Sequence, residues 1–345
     1  MGDTLASISP RDRAWKQVER LLEQEGIRRD ANLDYTCGIF DEDYRLVATG
    51  SSFGSTLRCF AVDKSRQGEG LLNQIVTHLM DHQAERGRFH LFVYTKCQSA
   101  KFFADIGFHE IARVEGTLSF LENRRNGFRD YCAELERFRR DGRSAAIVMN
   151  ANPFTLGHRY LVERAAAENE WVHLFVLSED AGPIPAGVRW KLVTEGVADL
   201  PNVICHRSGP YIISSATFPS YFLRDEEAVI RGHAQLDLAL FRSIAGAVGA
   251  TARYVGEEPS SLVTGIYNQV MAEELPAAGI RCEIIPRRAQ DGAAISASTV
   301  RQAIHVDRME DIRGLVPDAT WNFFQSPEAA PVIQAIRNSG SVIHY

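Results

Sequence analysis

The feature that most constrains the fold is an alternation of strand-like and helix-like segments that starts at Ala145. The strand-like segments are short apolar runs at 145–149, 171–177, 203–206, 252–255 and 281–285. The stretches between them carry helical patterns. Such alternation is typical of a parallel sheet with helices on both faces, in which ligands bind beyond the carboxyl ends of the strands. The second part of the chain is therefore predicted to be an α/β domain.

The first of these strands leads into a turn and then into a helix that opens on Thr155-Leu156-Gly157-His158. The N-terminus of a helix presents unpaired N–H groups and a partial positive charge to an anion. Gly157 has no side chain, so a phosphate can approach the backbone closely. His158 can donate a hydrogen bond to a phosphoryl oxygen as charge builds there. The segment is therefore predicted to bind phosphate.

Two motifs in this order resemble the signatures of the nucleotidyltransferase superfamily. Thr155-x-Gly157-His158 resembles its (H/T)xGH signature, and Ile295 to Arg301, ISASTVR, resembles its ISSTxxR signature. Two matches are more specific than either alone. The resemblance implies a Rossmann-like domain whose reaction partner attacks the α-phosphate of a nucleoside triphosphate and expels pyrophosphate. It also implies that catalysis depends on positioning and charge stabilisation.

The same resemblance implies roles for individual residues. It assigns catalysis to Thr155, His158 and Arg301. It assigns nucleotide binding to residues near these motifs and at a further strand end, namely Asn150, Asn152, Phe154, Gly157, Gly256, Glu257, Ser296, Ser298 and Thr299. ATP and Mg²⁺ are the implied cofactors, but no compact carboxylate cluster assigns a metal ligand, so Mg²⁺ is expected on phosphates and water.

Arg189 and Lys191 are further possible phosphate contacts, although a place on a surface helix is the more ordinary interpretation. Glu257 has two interpretations as well. It either borders the adenosine pocket or simply begins a loop after its strand.

The longer string NANPFTLGHRYLVE at 150–163, with 255–259 and 218–223, resembles the citrate (pro-3S)-lyase ligase family. That resemblance implies adenylation of acetate. The acetyl group would then pass to the thiol of a coenzyme A-derived prosthetic group on the acyl-carrier subunit of citrate lyase. Two alternatives stay open. One is an adenylyltransferase for a phosphate-ester acceptor such as phosphopantetheine or a pyridine mononucleotide. The other is a silent nucleotide-binding scaffold.

The N-terminal half carries strand candidates followed by Gly68 and Gly70 at the start of a helical pattern. This half resembles a GNAT-type N-acetyltransferase, in which such glycines bind the pyrophosphate of coenzyme A. Two positions depart from that pattern. Ser65 replaces the first Gln or Arg of the motif, and Phe103 replaces a tyrosine that acts as a general acid. Because a phenyl ring donates no proton, this half is predicted to hold a pantetheine arm without transferring acetyl groups.

A chain of 345 residues is long enough for two domains. We expect a GNAT-like α+β domain at 1–125, a charged linker helix at 126–143 and the nucleotidyltransferase domain at 144–345. The net charge of −6 gives no general reason to expect nucleic-acid binding. No apolar run is long enough for a membrane span, and six scattered cysteines without a secretory signal predict a cytoplasmic protein.

Overall fold

A computed structural model describes residues 2–30, 32–180, 182–212, 218, 226–257, 262–287, 289–290 and 293–339. The chain forms two compact units. Unit 1 contains Met1–Arg129 and Phe218–Ala239, and unit 2 contains Asp130–Thr217 and Leu240–Tyr345. The sequence placed 218–239 within the domain at 144–345, whereas this division joins that segment to the N-terminal unit.

Unit 1 is built on a seven-stranded sheet in the order β1-β2-β3-β4-β5-β7-β6. Its strands are β1 (Thr4–Ser7), β2 (Tyr35–Phe40), β3 (Leu46–Phe53), β4 (Thr56–Val62), β5 (Phe92–Thr95), β6 (His109–Val114) and β7 (Leu118–Glu122). Its helices include α1 (Trp15–Gln24), α2 (Leu71–Ala84) and α3 (Ala100–Ala104). All neighbouring strands pair antiparallel except β4 and β5, which are parallel.

The parallel pair β4–β5 is short. Only Thr56↔Phe92 and Leu57↔Val93 are in register. Beyond these pairs β4 continues to Val62, and β5 continues alongside β7. The two strands therefore share no ladder over their carboxyl-terminal halves, which leaves space between them at that edge of the sheet.

Unit 2 begins within helix α4 (Gly127–Glu136), which lies within the predicted linker segment. Its strands are β8 (Ser144–Met149), β9 (Trp171–Val176), β10 (Val203–Arg207), β11 (Ala250–Gly256) and β12 (Arg281–Ile285). Its helices are α5 (Leu156–Glu168), α6 (Ala186–Gly196), α8 (Leu262–Glu274), α9 (Ala297–His305), α10 (Asp318–Gln325) and α11 (Ala330–Asn338). Helix α7 (Glu226–Val248) contributes residues to both units, and Ala289–Gln290 pairs with Ala293–Ala294 in a short hairpin.

The five strands of unit 2 are all parallel, in the order β10-β9-β8-β11-β12. The chain runs outward from β8 through β9 to β10 and then returns to β11 on the other side of β8. The strand order therefore reverses between β8 and β11, and ligands of open α/β sheets bind beyond the carboxyl ends of the strands at such a point. Nearly every residue of β8 is buried, as expected for a central strand covered on both faces.

The predicted fold class is confirmed: a GNAT-like α+β unit is followed by a Rossmann-like unit with a parallel sheet. Helices α10 and α11 were not foreseen. In the strings that carried the family resemblance, residues 219–223 and 258–259 lie outside the described residues. Within the described residues, no helix combines the length and apolarity that crossing a membrane requires.

Candidate active site

The loop after β8 begins the site at the carboxyl edge of the parallel sheet. Ala151 has a positive φ of 51°, and the Asn152–Pro153 peptide bond is cis. Phe154 is fully buried, and its carbonyl oxygen accepts a hydrogen bond of 2.9 Å from Thr320 Oγ1 on α10. The loop is therefore held in place by the buried side chain of Phe154 and by the hydrogen bond from Thr320 on α10.

Arg189 fastens the ends of β8 and β9 together. Its side chain is only 1% exposed, and its Nη1 donates to the carbonyl oxygens of Asn150 at 2.8 Å and Leu177 at 2.9 Å. The same nitrogen donates to Asn150 Oδ1 at 2.7 Å, and Nη2 donates to the Glu179 carbonyl. Burial lowers the pKa of Arg189. The interpretation of this residue as part of a helix surface is therefore wrong, although Lys191 is exposed as that interpretation expects.

Thr155 caps helix α5 and fixes the imidazole of His158. The backbone N–H of Thr155 donates to His158 Nδ1 at 3.1 Å, and Thr155 Oγ1 accepts from the backbone N–H of His158 at 3.3 Å. Burial, together with the charges of Arg287 and Arg301, lowers the pKa of His158 to about 4. The ring is therefore neutral at pH 7. Because Nδ1 is an acceptor, the single ring proton lies on Nε2.

The second motif comes directly against the first. A Cβ atom at Gly157 would lie 2.8 Å from the carbonyl oxygen of Ile295, closer than real Cβ contacts come. Ser296 caps helix α9 by accepting from the backbone N–H of Thr299 at 3.0 Å. The Ser296 hydroxyl also lies 2.8 Å from the hydroxyls of Ser298 and Thr299. The N-terminal ends of α5 and α9 therefore meet, with a cluster of hydroxyl groups at the junction.

Arg301 ties the two motifs together from within. Its side chain is buried, and Nη1 donates to the carbonyl oxygen of Asn152 at 2.5 Å. The Asn152 carboxamide is buried as well, and neither of its polar atoms has a hydrogen-bond partner in the described part of the chain. A buried amide of this kind is costly unless something satisfies it, so its place beside Arg301 suits a residue that contacts a ligand.

The ends of β11 and β12 meet at the same edge of the sheet. The backbone N–H of Glu257 donates to the Ile285 carbonyl at 2.9 Å, and Arg287 Nε donates to the Glu257 carbonyl at 2.7 Å. Asn268 Nδ2 donates to the Gly256 carbonyl at 3.2 Å. Arg287 was missed by the sequence analysis. The signal that could have found it is its place two residues beyond the end of a parallel strand.

The structure thus brings together all three residues predicted to be catalytic, Thr155, His158 and Arg301. Gly157 and the Ser296 hydroxyl cluster join them, and Gly256 and Glu257 lie at the neighbouring strand end. The roles of these residues stay a prediction. Among the residues that the structure describes, no group of three His, Cys, Asp or Glu side chains could hold a metal ion.

The arrangement is strongly favourable for a polyanion. Two helix N-termini converge, Arg301 and Arg287 add positive charge, and the neutral His158 supplies an N–H donor. In open α/β sheets ligands bind beyond the carboxyl ends of the strands at such a switch point, and this anion site lies there.

A separate cleft lies within unit 1. Its volume is about 580 Å³, and its lining includes Phe60, Val62, Gly68, Gly70, Thr95 and Phe103. It opens where β4 and β5 separate, beyond the two residue pairs that hold them in register. Gly70 caps helix α2 with a left-handed backbone (φ 77°), which a residue with a Cβ atom rarely adopts.

Comparisons with known proteins identify the family. Residues 144–324 match the family described as Citrate lyase ligase C-terminal domain. A citrate (pro-3S)-lyase ligase from Klebsiella pneumoniae is 40% identical over 312 residues, covering 89% of this chain and 91% of the relative. One from Haemophilus influenzae is 36% identical over 325 residues, covering 92% of this chain and 97% of the relative. The chain belongs to the citrate lyase ligase family.

Among solved structures, a GNAT-family acetyltransferase from Staphylococcus aureus is 13% identical, with a TM-score of 0.30. The match covers 36% of this chain and 100% of that structure.

Proposed function

We propose that the protein is an AMP-forming ligase that acetylates the thiol prosthetic group of the citrate lyase acyl-carrier subunit. The observation that carries this proposal is the junction of Gly157 with Ile295, where two helix N-termini meet. Membership of the citrate lyase ligase family supports the choice of substrate. The six free cysteines, none of them in a disulfide, support a reducing, cytoplasmic location.

The proposed reaction has two steps. A carboxylate oxygen of acetate attacks the α-phosphorus of ATP, and the bond to the β-phosphate oxygen breaks, so pyrophosphate leaves with the electron pair. The thiolate of the carrier's prosthetic group then attacks the acetyl carbon, and AMP leaves. The thiol proton is released to solvent. The products are AMP, pyrophosphate and the acetylated carrier, which is the active form of the lyase.

In this proposal His158 donates its Nε2–H to a non-bridging oxygen of the α-phosphate. A neutral imidazole suits that task because its single proton already faces away from Thr155. Thr155 keeps the ring in that tautomer. Arg301 and the hydroxyls around Ser296 hold the departing β- and γ-phosphates.

The remaining predicted nucleotide contacts surround this centre: Asn150, Asn152, Phe154, Gly157, Gly256 and Glu257. Of these, Gly157 admits the close approach of the Ile295 carbonyl oxygen, and Phe154 stacks on His158 with ring centres 5.9 Å apart. Magnesium enters as the counter-ion of the triphosphate, held by phosphate oxygens and water, because the described residues offer no carboxylate cluster for it.

The test is exchange of labelled pyrophosphate into ATP, screened over possible acceptors. Acetate-dependent exchange, followed by acetyl transfer to the deacetylated carrier subunit, is the expected result. Exchange that needs a phosphate ester such as phosphopantetheine or nicotinate mononucleotide would instead establish an adenylyltransferase. The screen extended to other short acids defines the acid specificity.

A nucleotide-binding scaffold is tested by His158→Ala. Loss of one preorganised donor to the transition state lowers such rates about 10²-fold or more. The exposed His109 provides the matched control, because His109→Ala removes an imidazole from unit 1, whereas the candidate active site is built by unit 2. Undiminished activation of citrate lyase by the His158 variant would favour the scaffold.

For unit 1 we propose that the cleft receives the pantetheine arm of the prosthetic group without transferring acetyl groups itself. Its volume of about 580 Å³ suits a small ligand, and the separated strands β4 and β5 leave backbone amide groups along one wall. Phe103 lines this cleft and cannot donate a proton. Calorimetric titration of the full chain with pantetheine tests the proposal, and the absence of binding would refute it.

A further inference from the structure

Two buried arginines hold the loop after β8 at two different points. Arg301 on α9 donates to the carbonyl oxygen of Asn152. Arg189 on α6 donates to Asn150 and to the carbonyl oxygen of Leu177, the residue that follows β9. Because β9 and β11 lie on opposite sides of β8, the Asn150 end of the loop is the end fixed to the β9 side.

Arg189 also determines which end of the Asn150 carboxamide is left for a ligand. Arg189 Nη1 lies 2.7 Å from Asn150 Oδ1. A guanidinium only donates hydrogen bonds, so the amide atom that it contacts is the oxygen. The amide nitrogen Nδ2 makes no hydrogen bond within the part of the chain that the structure describes. Since Asn150 is only partly buried, Nδ2 is a donor that a ligand can reach.

The side chain of Arg189 is well fixed for this task. It is buried, and its Nε donates to the carbonyl oxygen of Ile184 at 3.2 Å. Its Nη2 donates to the carbonyl oxygen of Glu179. Hydrogen bonds in several directions leave the guanidinium one arrangement, and the Asn150 amide inherits that arrangement. The donor is therefore preorganised before any ligand arrives.

The geometry of phosphoryl transfer indicates which substrate this donor meets. The attacking and leaving oxygens lie roughly in line, on opposite sides of the phosphorus. In the proposed reaction the leaving pyrophosphate is held by Arg301 and the Ser296 hydroxyls, and Arg287 adds its charge from beyond β12. The attacking acid then approaches from the other side, towards β9, where Arg189 holds Asn150.

We propose that Asn150 binds the carboxylate of the acid substrate through Nδ2 and that Arg189 positions it for this role. One N–H donor holds one carboxylate oxygen and leaves the other free to attack the α-phosphorus. Arg189 stays behind the amide, so its charge does not pair with the attacking carboxylate. This inference rests on the proposed ligase reaction. It assigns Asn150 to the acid, whereas the motif resemblance alone assigned it to the nucleotide.

Pyrophosphate exchange with Asn150→Asp tests this assignment on the full chain. The new carboxylate keeps an oxygen for Arg189 and forms an ion pair with it, so the loop should keep its structure. The N–H donor is replaced by a negatively charged acceptor. The KM for acetate should therefore rise about 10-fold to 10²-fold, the usual size of one hydrogen bond to a charged group. The KM for ATP should change much less.

Arg189→Lys tests the positioning role. Lysine keeps the charge but donates from a single atom, so it cannot hold Asn150 in the same orientation as the planar guanidinium does. The KM for acetate should rise in this variant as well. Combined with Asn150→Asp, the two effects should be less than additive, because both act through one hydrogen bond. A merely structural role would lower the free energy of unfolding and kcat without a selective change in the KM for acetate.

The matched control is Asn322→Asp, the same change of charge at an exposed position on α10 in the same unit. It should leave both KM values unchanged. A wild-type KM for acetate in Asn150→Asp would overturn the inference. A rise confined to the KM for ATP would also overturn it and return Asn150 to the nucleotide.

Failure of the underlying reaction gives a different result. If the wild-type protein shows no exchange that depends on a carboxylic acid, the ligase reaction and the role of Asn150 are refuted together. If acetate-dependent exchange is present in wild type and unaltered in Asn150→Asp, only the role of Asn150 is refuted.

Discussion

Gly157→Ala tests the convergence of the two helix N-termini in one substitution. The new methyl carbon would lie 2.8 Å from the Ile295 carbonyl oxygen, whereas ordinary contacts begin at 3.4 Å. The loop that carries Ile295 must therefore retreat by about 0.6 Å, the difference between these distances. The obstacle is a backbone atom, so no side-chain rotation relieves it.

The expected effect on catalysis exceeds the expected effect on stability. A misplacement of about 1 Å can lower rates about 10²-fold, so we expect a loss of 10-fold to 10²-fold in acetate-dependent exchange. Overpacking costs about 1–3 kcal/mol, and the better helix propensity of alanine returns up to about 1 kcal/mol. The net loss of about 0–3 kcal/mol leaves a typical domain folded.

Pyrophosphate exchange and urea unfolding should be measured together on this variant and on Gly246→Ala. Gly246 lies in α7, and a Cβ atom added there would have nothing within 4 Å. Its substitution should stabilise the protein by up to about 1 kcal/mol and leave exchange unchanged. A Gly157→Ala enzyme with wild-type turnover and a wild-type KM for ATP would refute the idea that this contact shapes the ATP site.

Three further predictions concern titration and charge. Because the pKa of His158 is lowered to about 4, titration of this residue should not change the rate of pyrophosphate exchange between pH 6 and 8. A change of rate in that range that disappears in His158→Asn would contradict the role of a neutral imidazole as donor. Burial lowers the pKa of His173 to about 4 and of His206 to about 3, below the usual 6.5. Between pH 7 and pH 5 the unfolded chain therefore binds more protons than the folded chain. The free energy of unfolding should fall by about 2–4 kcal/mol over this range. Urea unfolding at both pH values tests this, and an equal loss in a His173→Phe, His206→Phe variant would refute it. Arg287→Ala should raise the KM for ATP about tenfold and Arg287→Lys less, whereas wild-type steady-state kinetics in both would remove Arg287 from the site.

The sequence predicted those parts of the site that depend on local signals. A Ser or Thr before an apolar helical pattern predicts a cap, and both Thr155 and Ser296 cap their helices through the hydrogen bonds described above. Strand–helix alternation likewise predicted the parallel sheet, because a crossover between parallel strands needs a long connection, which is usually a helix. The meeting of the two capped helix ends at Gly157 followed from the motif resemblance. It is seen in the close approach of the Ile295 carbonyl oxygen to Gly157.

The parts that escaped prediction depend on contacts between distant segments. Arg189 is buried because the carbonyl groups of Asn150 and Leu177, which directly follow two strand ends, converge on it, and backbone carbonyls leave no trace in a sequence. Arg287 lacks a motif and acquires its importance only from proximity to His158. Phe218 and the first part of α7, up to Ala239, are grouped with the N-terminal unit although they lie between two strands of the parallel sheet along the chain, which chain order alone does not indicate.

A structure of the full chain with a non-hydrolysable ATP analogue tests the central claim most directly. The account predicts that the α-phosphate lies within hydrogen-bond distance of His158 Nε2, about 3 Å, while the β- and γ-phosphates contact Arg301 and the Ser296 hydroxyl cluster. A triphosphate bound to only one of the two helix N-termini, or elsewhere on the chain, would contradict it.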